Sequence, residues 1–260
     1  MKNGKKNFDS ICYKKNFLTE VIIRLDLISP LQGLDKQLPI DIMQKVKPLF
    51  PIPEPQKIIA FPLQVSSNGE ESKKTKKKEE QMEWRFHGKD KEKTLSLTPN
   101  SIFIQYRSYK TYEQLRDDFL SVVSFIFEKY ENAQGQRLGL RYTNDIILKD
   151  GKPLEWSDYL DKNLLCSFQF YQSSRIASRV FHNIEFNFGD FNLRYQFGMH
   201  NPDYPAPIKK KSFVLDFDAY YIGFHDKDDI HKNLDKYHNK IQELFERSMT
   251  DKLRDVLNGK

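Results

Sequence analysis

The chain has only two cysteines, Cys12 and Cys166, in 260 residues. Two thiols cannot build a disulfide framework, and neither stands in a CxxC pair, so a reducing compartment is expected. Long apolar runs are also missing. The most apolar early stretch, FLTEVIIRLDLI (residues 17–28), is broken by Glu20, Arg24 and Asp26, and nothing approaches the roughly 20 apolar residues of a membrane helix. The opening MKNGKKNFDSICYKKNF is charged but has no uninterrupted apolar run behind it, so no secretory signal is expected. These absences point to a cytoplasmic protein with no membrane partner. Glycine-rich phosphate loops are absent too. The glycine-flanked turn QGQRLG precedes a strand pattern and not a helix, which excludes a phosphate cradle of the usual kind.

What is present is aromatic and charged. Twenty Phe and 13 Tyr exclude global disorder, and the length suffices for a substantial core. The net charge is +6, but its placement matters more than its size. Lys2, Lys5, Lys6, Lys14 and Lys15 face only Asp9 within residues 1–15, and Lys209, Lys210 and Lys211 sit in a second segment. These two stretches account for the whole excess, so the remainder is near neutral. A nucleic-acid module displays a basic face on its fold, whereas this chain displays basic segments. The stretch SSNGEESKKTKKKEEQ (residues 66–81) has no apolar residue and reads as a flexible loop. Its lysines are offset by glutamates.

Periodicity sets the class. In residues 17–28, Val21, Ile23, Leu25 and Leu27 form one apolar face of a strand. IDIMQKVK predicts a short helix ending before Pro48. KIIAFPLQV, QMEWRFHG, KTLSLT and SIFIQYRSY read as strands. A helix over 112–130 is capped by Thr111 with Gln114 as capping-box partner. RLGLRYTNDIIL follows as a strand, then a short helix near EWSDYLDKNL. SFQFYQ, ASRVFHNIEFNF, FNLRYQFGM and SFVLDFDAYYI read as further strands, followed by a helix over about 227–247 and a last one capped by Ser248 and Asp251. Strands followed by helices give an α+β class. The expected architecture is an antiparallel sheet with long amphipathic helices on one face. Residues 1–260 form a single domain, in two duplicated β-β-α halves (about 17–150 and 151–260).

Three constellations are candidates for chemistry. Asp216 and Asp218 in VLDFDAY share one face of a strand. Two such carboxylates suit Mg²⁺ in phosphoryl or nucleotidyl transfer, although the glycine-serine element of nucleotidyltransferases is missing. The bland alternative is a strand with a wet side. His231, Asp235 and His238 stand at i, i+4 and i+7 on the second long helix, a spacing open to Zn²⁺, but they also flank the apolar stripe where polar boundary residues belong. IQYRSYKTY, LRYTND and NLRYQFGMH interleave aromatics with arginine. Tyr106, Arg107, Tyr109, Arg141, Tyr142, Arg194 and Tyr195 are the residues of a sheet platform for single-stranded nucleic acid, or else they serve packing alone. Cys166 and Ser173 have no nucleophile context.

YKKNFLTEVIIRLDL near the start, RLGLRYTNDI in the middle, and VLDFDAY with FERSMTDKLRDVLNG near the end carry a resemblance. The chain resembles a patchily distributed family of prokaryotic proteins of similar length and unknown function. The lysine-rich loop falls outside the resemblance, which brings no catalytic residues. Patchy occurrence implies mobile genes, such as defence or toxin–antitoxin cargo. The leading expectation is a binding or regulatory protein with a protein partner and no cofactor. The alternatives are a metal-dependent transferase using Asp216 and Asp218, and a single-stranded nucleic-acid binder.

Overall fold

The computed structural model describes residues 13–60, 79–169 and 176–260. Cys12, Ser173 and the lysine-rich stretch up to Lys78 lie outside them. The elements run β1 (Leu18–Leu27), α1 (Ile40–Val46), β2 (Ile52–Pro53), β3 (Gln56–Ala60), β4 (Glu79–His87), β5 (Lys93–Thr98), β6 (Ser101–Tyr106) and α2 (Tyr112–Lys129). Then come β7 (Gly135–Ile147), a 3-10 helix (Lys162–Gln169), β8 (Val180–Asn187), β9 (Asn192–Met199), β10 (Ser212–His225), α3 (Lys227–Ser248) and α4 (Asp251–Leu257). The protein is α+β, built on a large antiparallel sheet.

The strands form one ten-stranded sheet in the order β2-β4-β5-β6-β1-β7-β10-β9-β8, with β3 also paired to β4. At its centre β1 pairs antiparallel with β7, placing Ile23 opposite Leu140 and Val21 opposite Tyr142. The period of two then sorts side chains. Val21, Ile23 and Leu25 are fully buried, as their alternation predicts, and Leu138, Leu140, Leu215 and Phe217 join them on the same face. Each such side chain contributes about 1.5–3 kcal/mol of transfer free energy. α3 packs on β7 and β10, while α2 packs on α3 and β6.

Local signals explain the helix starts. The Thr111 side chain accepts the Gln114 N–H and opens α2. α3 opens on a capping box in which Asp226 and Asp229 satisfy each other's N–H groups. Two expectations are corrected. SFQFYQ is not a strand through its first half, because Ser167–Gln169 close the 3-10 helix. Its start is fixed when Asp161 accepts the Asn163 N–H at 2.8 Å, and this local bond outweighs β propensity. Ser248 does not cap the last helix. It ends α3, with its Oγ bonding Leu244 O at 2.7 Å and Tyr195 Oη at 2.8 Å, and Thr250 takes the capping position of α4.

Candidate functional site

The face of the sheet turned away from α3 carries the predicted carboxylates. Arg141 on β7 donates from Nε and Nη2 to Asp216 on β10, at 2.8 and 2.6 Å. The Thr143 hydroxyl approaches the same carboxylate at 3.4 Å. Asp218 lies in register with Arg141 on one side and Arg194 on the other, with Arg137 at 3.9 Å. Burial pushes the Asp218 carboxyl above its ordinary range, and the three guanidinium groups pull it back. Arg24 with Asp26 (2.7 Å) and Arg194 with Glu185 (2.8 Å) continue the pattern. Both oxygens of Asp216 are therefore already used by a cation of the protein. Among the described residues no group of three His, Cys, Asp or Glu side chains is arranged to hold a metal ion.

The aromatic and basic candidates divide between faces. Arg141 and Arg194 lie with the carboxylates, whereas Tyr106, Tyr142 and Tyr195 are buried on the opposite, helix-covered face. The Tyr106 hydroxyl bonds Asp118, and Tyr195 stacks on Phe217 with ring centroids 4.4 Å apart. Arg107 is exposed just beyond β6. The structure brings Arg141 and Arg194 to Asp218; it does not bring them to the tyrosines. Alternation forces this, since neighbours in a strand point oppositely.

The helix-covered face holds a cavity of about 360 Å³. It opens where α2 begins and reaches down between α3 and the β7–β10 ladder. Three residues singled out in the sequence for other reasons meet here. The Tyr142 hydroxyl lies 3.2 Å from that of Tyr109 and 3.1 Å from His238 Nδ1. Burial raises the Tyr142 phenol well above its usual range, and the neighbouring Tyr109 adds to the shift, so it keeps its proton. His238 also stacks flat on Tyr112, with centroids 3.9 Å apart. Asp235, instead of converging with the histidines, accepts from Tyr112 Oη at 2.8 Å and Arg116 Nη1 at 3.2 Å, with His231 at 3.5 Å. Asn144 is buried in the cavity floor. Its Nδ2 reaches Leu215 O at 3.4 Å, and its Oδ1 has no hydrogen-bond partner among the described residues. Phe217, Ile241 and Leu257 supply buried apolar walls.

An apolar pocket with a few convergent polar groups is the usual form of a small-molecule site. The sequence contained Tyr109, Tyr142 and His238, but nothing local joins positions so far apart along the chain. Among the described residues no helix is long and apolar enough to cross a membrane. No family model matches the chain, and no curated protein sequence is similar to it.

Proposed function

We propose that this chain is a binding and regulatory protein that holds a small molecule in the cavity between α3 and the β7–β10 ladder. The observation that carries the reading is the cavity itself, where Asn144 and the hydrogen-bonded Tyr109, Tyr142 and His238 converge on buried apolar walls. An apolar pocket with a few convergent polar groups is the usual form of a small-molecule site, the polar groups fixing orientation while the walls supply burial. The test is a thermal-shift screen of small molecules on the full chain and on Leu18→Trp, which puts an indole into the cavity mouth. Compounds that stabilise the parent and not the variant support the reading. Stabilisation that is equal in both sinks it.

The sheet order supports a duplication within this binding unit. Read from edge to centre, β4-β5-β6-β1 and β8-β9-β10-β7 have the same form. Each is a first strand, a three-strand meander and a helix, and the two first strands pair with each other. This order favours a boundary in the turn between α2 and β7 over one at residue 150. Each quartet then contributes one amphipathic helix to the same face, and the cavity lies where α2 of one half meets α3 of the other.

The proposed setting is the cytoplasm of a prokaryote, within the patchily distributed group the chain resembles, with a protein partner in a mobile defence or toxin–antitoxin system. A pull-down with and without nuclease tests the partner. A stoichiometric protein that survives nuclease is the expected result, and recovery of nucleic acid alone overturns it.

A further inference from the structure

The lining of the cavity defines the class of its occupant, an inference that rests on the binding reading above. The floor is aromatic and aliphatic, with Tyr112, Tyr142, Phe217 and Ile241 buried around Asn144. The mouth is charged and exposed. Lys15 and Lys110 stand there without an acidic partner among the described residues, against one carboxylate, Glu113. The first turn of the 18-residue α2 opens on the same mouth. Its cap satisfies the Gln114 N–H and leaves the N–H groups of Tyr112 and Glu113 without an intrahelical acceptor. A helix start carries about half a positive charge. Two ammonium groups and this helix end outweigh the single carboxylate, so the field at the mouth is positive.

We propose that the cavity binds a small aromatic or cyclic apolar anion, with its ring inside over Tyr142 and its acid group at the mouth beside Lys110. A donor on the ring reaches Asn144 Oδ1. Polar groups at such a site fix orientation while the apolar walls supply burial. The ring stays neutral where the surroundings are apolar, and the charge stays where water and lysine reach it.

Calorimetry on the full chain separates the possibilities, with 2-naphthoate, 2-naphthalenemethanol and 2-naphthylmethylammonium as probes of one shape and three charges. The expected order places naphthoate at least tenfold tighter than the other two. Lys110→Met then weakens naphthoate about fivefold and leaves the alcohol unchanged, while Glu113→Gln tightens naphthoate. If the alcohol or the ammonium binds as well as naphthoate, and Leu18→Trp abolishes that binding, the cavity reading stands and the anion class falls. If no probe binds at millimolar concentration, or binding survives both Leu18→Trp and a second blocking variant, Gln242→Trp, both readings fall. Circular dichroism of each variant confirms that it has folded.

Discussion

Arg141 presents the side of its guanidinium to Asp216 across the β7–β10 ladder, with Nε and Nη2 on the two carboxylate oxygens at 2.8 and 2.6 Å. The partners are unequally buried: the Asp216 side chain is 8% exposed and that of Arg141 is 41%. Removing the arginine leaves a buried carboxylate without its donor, whereas removing the aspartate leaves a guanidinium that water can solvate. Arg141→Met is therefore expected to cost about 2 kcal/mol and Asp216→Ala about 1 kcal/mol or less. Solvent screening of the half-exposed arginine keeps both below the range for fully buried pairs. Urea unfolding of the two variants measures the asymmetry, and a larger cost for Asp216→Ala would show that the Thr143 hydroxyl, 3.4 Å from the same carboxylate, contributes more than its distance suggests.

Tyr237 on α3 is fully buried, and its hydroxyl has no hydrogen-bond partner among the described residues. Tyr237→Phe keeps the ring against Phe191 and removes the unpaired group. The variant is expected to be as stable as the parent, or more stable by about 1 kcal/mol. A loss larger than that in thermal unfolding would mean that the hydroxyl is bonded to buried water.

Gly198 on β9 has φ +151°, and a Cβ there would stand 2.2 Å from Val180 O and 2.9 Å from Phe181 Cα. Both obstacles are backbone atoms of the neighbouring β8, so no side chain can turn aside to make room. Gly198→Ala is expected to cost about 2 kcal/mol or more and to loosen β8 from the sheet. Amide hydrogen exchange should rise in β8 and β9 while β1 and β7 stay protected. Unchanged exchange in β8 would refute this.

His225, where β10 meets α3, is fully buried, with Nε2 3.3 Å from Tyr221 O and Nδ1 3.4 Å from Asn233 Nδ2. Burial lowers its pKa, and the opposing pull of the Tyr221 carbonyl, Asp229 and Asp226 is weaker. The unfolded chain, with a histidine pKa of about 6.5, therefore takes up the proton first. The contribution is intact above that pH and is lost as the pH falls through and below it. Thermal midpoints measured from pH 8 to pH 5 should fall less steeply in His225→Gln than in the parent. Parallel curves would show that His225 does not carry the acid sensitivity.

Much of the fold is local, and that part was legible. Val21, Ile23 and Leu25 announce their buried face by alternation, and Thr111 announces the start of α2 by its chemistry. Asp226 and Asp229 signal α3 in the same way once the capping pattern is applied to acidic residues. Periodicity also places Arg141 and Tyr142 on opposite faces, which separates the arginines from the tyrosines of the expected platform. The 3-10 turn at Ser167–Gln169 was not legible as a strand or a helix, because the Asp161 side chain decides it.

The sequence by itself determined the α+β class, the apolar face of the first strand, the cap of α2 and the scarcity of disulfide chemistry. These depend on periods of two and 3.6 residues and on bonds that span a single turn. Only the tertiary structure decided that Asp216 answers to Arg141, and that Tyr109, Tyr142 and His238 share one cavity. Those partners come from strands and helices far apart in the chain, and which strands become neighbours depends on how the whole sheet buries its apolar face.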